Sequence, residues 1–118
     1  MLRAIRGATT VDVDTAEEVE EQVVALLREI FARNSIDHDD LISIVFTSTD
    51  DLHSMFPATA ARTIGLGTVP MLCARELNIV GGTERCIRVL IHVDTDRSRS
   101  ELRHVYLNGA TQLRDDLP

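Results

Sequence analysis

The clearest periodic pattern in the sequence lies between residues 15 and 33, where apolar side chains recur every three or four positions. That spacing places them on one face of an α-helix, which would pack against a core. Thr15 and Glu18 have the spacing of a capping box at the helix start. Asn34 and the polar stretch 35–40 end the pattern, so we expect one long amphipathic helix. Its apolar positions are Val19, Val23, Leu26, Leu27, Ile30 and Phe31.

The most regular alternation spans residues 85–93 and predicts a β-strand. Every second residue from Ile87 to Val93 is β-branched, so one face of this strand is uniformly apolar. The other face is mixed and carries Arg88. Because the apolar face belongs in the core, Arg88 points to the opposite side of the sheet, which is either solvent or a cleft.

Residues 2–11 are predicted to form another strand, with β-branched residues near its end. Gly7 indicates a bulge or a close approach by another segment. Alternation places Arg6 between Ala4 and Ala8 on one face. An arginine between two small side chains has room for a ligand, and the same spacing also fits an exposed strand arginine.

The whole pattern predicts a single α+β domain over residues 1–118, with a mixed sheet of about five strands, one long helix and one short helix. The short helix begins at Pro57 and ends at Arg62 or Ile64, where glycines follow. Alternation does not determine the order of the strands. The other predicted strands are 41–47, which is apolar enough to be central and buried, 69–74 and 102–107.

Composition narrows the range of functions. The formal net charge of -7 disfavours a nucleic-acid partner, which needs clustered basic residues. All 12 basic residues are arginines, so mechanisms that require a lysine are excluded. Without a long apolar run or a signal-peptide pattern, we expect a cytoplasmic protein with no membrane partner. Cys73 and Cys86 lack the spacing of a zinc or redox motif, and we expect no disulfide.

The usual catalytic motifs are missing from the sequence. The four histidines lack metal-binding spacing, and neither a nucleophile elbow nor a phosphate-binding glycine fingerprint occurs. We therefore expect neither a metal nor a cofactor. What remains is a group of arginines in apolar or small-residue surroundings, with an acid and a phenol. Guanidinium groups match carboxylates with a planar fork of donors, so this group indicates a small-carboxylate site. Its members are Arg6, Arg62, Arg88, Glu76 and Tyr106.

Eight short motifs occur in order between residue 3 and about residue 117. They are Arg6-Gly7-Ala8-Thr9-Thr10, Asp51-Leu52-His53, Phe56-Pro57-Ala58, Arg62, Val69-Pro70 with Cys73 and Glu76, Gly81-Gly82, Cys86-Ile87-Arg88-Val89, and Arg103-His104-Val105-Tyr106-Leu107. Each motif alone is weakly specific. Together, in so short a chain, they resemble the AroH class of chorismate mutases.

The resemblance implies a barrel-like homotrimer with active sites in clefts between adjacent subunits. Members of this class convert chorismate to prephenate, a Claisen rearrangement on the path to phenylalanine and tyrosine. The reaction is unimolecular and pericyclic, without proton transfer or a covalent intermediate. The protein has to restrain the substrate and stabilise charge separation as the ether bond breaks, so no nucleophile, metal or base is required.

The resemblance also implies roles for individual residues. Arg88 would donate to the ether oxygen, where negative charge grows in the transition state. Arg6 and Tyr106 would bind a substrate carboxylate. Glu76 and Cys73 would meet the ring hydroxyl, and Arg88, Glu76 and Arg6 form the expected catalytic set. The pocket or its mouth would be lined by Phe56, Ala58 and Arg62.

Two alternative functions share the arginine-rich pattern. One is a trimeric small-molecule binder or an imine deaminase similar to the RidA group, which also places arginine in intersubunit clefts. The other is a non-catalytic domain that senses a carboxylate metabolite. No specific motif supports the first, and the second would not require the opposite charges of Arg88 and Glu76.

The sequence departs from the family pattern near its C-terminus. There, Asp115-Asp116 follows Arg114, whereas the family commonly has a proline nearby. We therefore expect a shorter segment over the pocket.

Overall fold

The computed structural model describes residues 1–114, in which a five-stranded mixed sheet packs against helices on one face. The elements are β1 (Leu2–Thr10), α1 (Ala16–Asn34), β2 (Leu41–Ser48), α2 (Pro57–Arg62), β3 (Met71–Arg75), β4 (Cys86–Asp94) and β5 (Val105–Tyr106). Short 3₁₀ helices occupy His38–Asp40, Arg99–Glu101 and Asn108–Arg114. The predicted α+β class is confirmed. In residues 1–114, no helix is long and apolar enough to cross a membrane.

The strand order is β3-β2-β4-β1-β5. The central strand β4 pairs antiparallel with both β2 and β1, whereas each edge strand runs parallel to its neighbour. Ala8 lies opposite Arg88 on one side and opposite Tyr106 on the other. Thr47 flanks Arg88 from β2. Residues far apart in the sequence therefore meet at the middle of the sheet.

Helix α1 covers one face of the sheet and supplies much of the core. The Thr15 hydroxyl oxygen accepts a hydrogen bond from the Glu18 backbone N–H at 3.1 Å, which caps the helix at the predicted residue. The Thr15 backbone N–H donates to the Val13 carbonyl at 2.9 Å rather than to the Glu18 carboxylate, so only half of the predicted capping box forms. Ser35 ends it in the left-handed conformation, with φ of 51°. All six apolar positions predicted to face the core are buried. They belong to the same core cluster as the apolar face of β4, where Ile87 and Ile91 are fully buried.

Gly7 allows α1 to approach the sheet closely. A β-carbon at this position would lie 2.7 Å from Cδ1 of Ile30 and 3.1 Å from the carbonyl oxygen of Val105. Both distances are shorter than ordinary van der Waals contact, so a side chain here would push the helix and β5 away. The predicted close approach is present, and the β1–β4 register is regular through Gly7.

The opposite face of the sheet is largely open. The segment Asn108–Arg114 covers one corner, where Ala8 and Cys86 are buried with Ala110. Farther along the strands, Leu72 is 69% exposed and Leu90 is 36% exposed. We call this surface the open face; exposed apolar side chains on a sheet face are typical of a surface that another chain covers.

Two predicted strands are shorter than expected. The strand predicted at 69–74 begins at Met71, because the Val69 N–H closes a turn with the Leu66 carbonyl and Pro70 has no N–H. The strand predicted at 102–107 is reduced to Val105–Tyr106. Ahead of it, a His104 ring nitrogen rather than a backbone carbonyl accepts the Arg6 N–H.

Candidate active site

A cavity of about 330 Å³ lies on the open face. Two adjacent rows of side chains cross the face at this point, as the strand register shows. The first row is Tyr106, Ala8, Arg88, Thr47 and Ala74, and the second is Arg6, Leu90, Val45 and Leu72. The cavity is lined by Arg6, Gly7, Val45, Thr47, Glu76, Arg88, Val89, Leu90 and Tyr106.

Arg88 and Glu76 form an ion pair at the wall of this cavity. The Arg88 Nε lies 3.2 Å from the Glu76 Oε2, with the two side chains 47% and 21% exposed. Glu76 follows the last residue of β3, and its backbone N–H donates to the Ser48 carbonyl at 3.0 Å. This bond extends the β2–β3 ladder by one step and directs the carboxylate toward Arg88.

Both carboxylate oxygens of Glu76 have further partners. The Thr47 hydroxyl donates to Oε2 at 2.7 Å, and the Leu77 backbone N–H donates to Oε1 at 3.2 Å. The carboxylate therefore has a defined orientation before any ligand arrives. Arg88 contacts Glu76 through its Nε–H, which is one of the five N–H donors of a guanidinium group.

Arg6 and Tyr106 complete the polar lining from β1 and β5. The Arg6 backbone N–H donates to Nδ1 of His104 at 2.9 Å, which holds β1 beside the segment that leads into β5. Across residues 1–114, the Arg6 guanidinium makes no ion pair with a carboxylate. An anionic ligand in the cavity could form a charge-assisted hydrogen bond with this guanidinium.

A second cavity, of about 540 Å³, lies on the helix side of the β3 edge. We call it the edge groove. Phe56, which is 72% exposed, and Cys73 line it. Cys73 lies opposite Phe46, whose side chain is in the core, and so faces away from the Arg88 cavity. Cys73 therefore does not meet Glu76 within one chain.

The other two predicted pocket residues are on α2. Ala58 is 6% exposed and packs in the main core, whereas Arg62 is exposed at the end of the helix. The structure thus brings four predicted site residues together in one cavity and places four elsewhere. The first group is Arg6, Glu76, Arg88 and Tyr106, and the second is Phe56, Ala58, Arg62 and Cys73.

Neither cysteine forms a disulfide, and Cys86 is buried beside the site. Burial raises the pKa of the Cys86 thiol, so the group stays protonated at neutral pH and has little nucleophilic character. Within residues 1–114, no group of three or more His, Cys, Asp or Glu side chains is placed to hold a metal ion. The predicted departure at Asp115-Asp116 lies outside the described residues.

Fold and cavity together define an α+β protein with a site for a small anionic ligand on the open face of its sheet. Comparison with known proteins identifies the family. The family described as chorismate mutase type I matches residues 2–117. The chain therefore belongs to the chorismate mutase type I family, and the predicted resemblance and enzyme class are confirmed.

Individual relatives are similar over nearly the whole chain. Chorismate mutase AroH of Bacillus subtilis (strain 168) is 42% identical, over 99% of this chain and 93% of the relative. Chorismate mutase AroH of Thermus thermophilus is 46% identical, over 99% and 97%. The solved structure of a chorismate mutase from Clostridium thermocellum is 47% identical with a TM-score of 0.91, over 92% of this chain and 97% of that one.

Proposed function

We propose that this enzyme converts chorismate to prephenate in the biosynthesis of phenylalanine and tyrosine. The observation that carries the proposal is the Arg88–Glu76 pair, fixed at a cavity wall beside Arg6 and Tyr106. Chorismate carries two carboxylates and a ring hydroxyl, and its rearrangement breaks an ether bond. The cavity offers two guanidinium groups, one carboxylate and one phenol for these groups.

For this reaction the protein has to restrain the conformation of the substrate and stabilise the charge that develops in the transition state. The side chain of chorismate has to fold over its ring so that the new carbon–carbon bond forms as the ether bond breaks. When the protein holds the substrate in that conformation, the binding step meets much of the entropic cost that the free substrate meets during activation. Arg88 then donates to the ether oxygen as its negative charge grows, and the donor is already in place because Glu76 holds it.

The remaining contacts orient the substrate. Arg6 and Tyr106 bind a carboxylate at one end of the cavity, and Glu76 accepts the hydrogen bond of the ring hydroxyl at the other. Cys73 contacts the same hydroxyl. Phe56 and Arg62 line the mouth of the site. Ala58 lines it through its small exposed surface.

This assignment needs residues that one chain keeps apart, and a homotrimer brings them together. Phe56 and Cys73 lie on the edge groove, on the other side of the sheet from Arg88. If the edge groove of one subunit covers the open-face cavity of the next, both groups face one substrate. The exposed apolar residues of the open face support this arrangement, because a subunit interface would bury them. We expect the trimer to act in the cytoplasm, without a nucleic-acid or membrane partner.

A turnover assay tests the reaction. Purified protein is incubated with chorismate in the presence and absence of a chelator, and prephenate is quantified by liquid chromatography. We expect stoichiometric conversion that the chelator does not change. Binding of chorismate without conversion would instead favour a metabolite-sensing domain, and loss of activity with the chelator would contradict the mechanism.

Subunit complementation tests the shared site. Arg88→Ala removes the cation from the open-face cavity, and Phe56→Asp places a negative charge in the edge groove against an anionic substrate. In a trimer with shared sites, unfolding and refolding the two variants together restores about one quarter of the sites, because each intact site needs one unmodified half from each kind of subunit. A mixture no more active than its components, or full activity of Phe56→Asp alone, would contradict the arrangement.

A further inference from the structure

The hydroxyl of Thr47 contacts the Arg88–Glu76 pair, and the mechanism proposed above gives it no role. It donates to Oε2 of Glu76 at 2.7 Å, the same oxygen that lies 3.2 Å from Nε of Arg88. The strand register explains the contact. Thr47 lies directly opposite Arg88 on one side and opposite Ala74 on the other, two residues before Glu76.

We propose that Thr47 is a positioning residue for the reaction, and that its hydroxyl holds the Glu76 carboxylate in the orientation that fixes Arg88. This inference rests on the proposed function. A hydroxyl donates only one proton, and here that proton is given to Glu76. The oxygen that receives it is shared with the guanidinium, so the hydroxyl and the cation hold the carboxylate from two directions.

Without the hydroxyl, the contacts of the carboxylate within residues 1–114 are that of Oε2 with Arg88 and the 3.2 Å bond from the Leu77 N–H to Oε1. The carboxylate then turns more freely about its last bond, and the guanidinium turns with it. Hydrogen bonds to charged groups are among the stronger ones in proteins, so the loss affects the alignment of Arg88.

The hydroxyl also changes the charge balance of the pair. A carboxylate that accepts a hydrogen bond from a neutral donor shares its negative charge with that donor, so it neutralises less of the neighbouring cation. More of the positive charge of Arg88 is then available to the oxygen that becomes negative during the reaction. Both effects act on the transition state more than on the bound substrate.

The test compares Thr47→Val with Thr47→Ser. Valine has nearly the same shape and favours strands, but it lacks the hydroxyl; serine keeps the hydroxyl. We expect Thr47→Val to lower kcat/KM for chorismate about tenfold, mainly through kcat, and Thr47→Ser to stay within about twofold of the original enzyme. Equal activity of Thr47→Val and the original enzyme would overturn the proposal.

A double-mutant cycle shows whether the effect passes through Glu76. In a Glu76→Ala background, we expect Thr47→Val to change kcat/KM less than about twofold, because the group it positions is absent. The same loss in both backgrounds would mean that Thr47 acts independently of Glu76, and would overturn the proposal. If Thr47→Val does not fold, Thr47→Ala replaces it in the same cycle.

A crystal structure of Thr47→Val separates this inference from the proposed function. If the original enzyme does not convert chorismate, the proposed function fails, and the position of the carboxylate still tests Thr47. We expect the Glu76 side chain to leave its contact with Arg88 or to become disordered. An unchanged Glu76–Arg88 contact in this variant would refute the positioning role.

Discussion

Replacing Arg88 with alanine is the sharpest perturbation of the proposed mechanism. The variant removes the cation at the cavity wall and leaves Glu76 with its bonds from Thr47 and Leu77. Exposed ion pairs contribute only about 0–1 kcal/mol to stability, and the Arg88 side chain is 47% exposed. We therefore expect the fold to persist and the loss to fall on catalysis.

The size of that loss follows from the position of the charge. Because Arg88 lies at a surface cavity, the effective dielectric constant of a surface site, about 20, is appropriate. A unit cation about 3 Å from half a developing negative charge then contributes about 2.8 kcal/mol. That corresponds to about 100-fold in rate, and the lost hydrogen-bond geometry extends the expected fall in kcat to between about 10² and about 10³.

The assay follows the disappearance of chorismate under saturating substrate, and Arg33→Ala provides a matched control. Arg33 is 49% exposed and pairs with Glu29 on α1, so its exposure and pairing resemble those of Arg88. We expect the control to keep normal turnover. If Arg88→Ala also turned over chorismate at a normal rate, or if the control lost as much, the role assigned to Arg88 would be wrong.

Three further predictions test the fold and the chemistry. Gly7→Ala should lower the free energy of unfolding by about 1–3 kcal/mol in urea titrations, because its β-carbon collides with α1 and β5. Gly67→Ala, which has open space around it, should change stability little; equal losses would refute the packing argument. Hydrogen bonds, first from the Ser54 hydroxyl, lower the pKa of Asp14 below its ordinary 3.8. The ionised Asp14 carboxylate therefore stabilises the fold above about pH 4, and this stabilisation is lost as the pH falls through the lowered pKa of the folded state. The Tm gap between the original protein and Asp14→Asn should therefore narrow below about pH 4, and a constant gap would contradict this. Finally, kcat/KM should vary little between about pH 6 and about pH 9, because no group with an ordinary pKa near 7 takes part, whereas a steep bell-shaped profile would implicate a histidine.

Elements with strong local periodicity could be predicted closely from the sequence. The helix predicted from the Thr15 cap to about Arg33 spans Ala16–Asn34. Asn34, the last residue of this helix, has a role that the spacing of apolar residues does not show. The side chain of Asn34 is buried and bonds to the backbone of Arg103, a partner 69 residues away, and such long-range contacts leave no periodic signal.

The orientation of the β4 side chains was also predictable, but the convergence of the site was not. Alternation predicts that Arg88 faces away from the core, and the structure agrees. The meeting of Arg6, Arg88 and Tyr106 depends on a strand order that places β1 between β4 and β5. Only long-range pairing fixes that order, so the resemblance, rather than the residue pattern, linked these residues.

Thr47 is a site residue that the sequence pattern does not reveal. Alternation along β2 puts it on the face opposite Phe46, but nothing in the sequence shows that Arg88 is its neighbour or that Glu76 lies within reach. The role of the Thr47 hydroxyl becomes visible only when the pairing register of β2 with its neighbouring strands is known. The separation of Cys73 from Glu76 has the same origin, because their side chains point to opposite faces of one sheet.

In the proposed mechanism, the open-face cavity promotes a unimolecular rearrangement with no proton exchange. This mechanism is tested most directly by following chorismate and the purified enzyme by proton NMR in D₂O with a chelator present. We expect prephenate to appear as chorismate disappears, in equal amounts, with no deuterium on its carbon atoms. Failure to form prephenate, or deuterium incorporated at carbon during turnover, would contradict it.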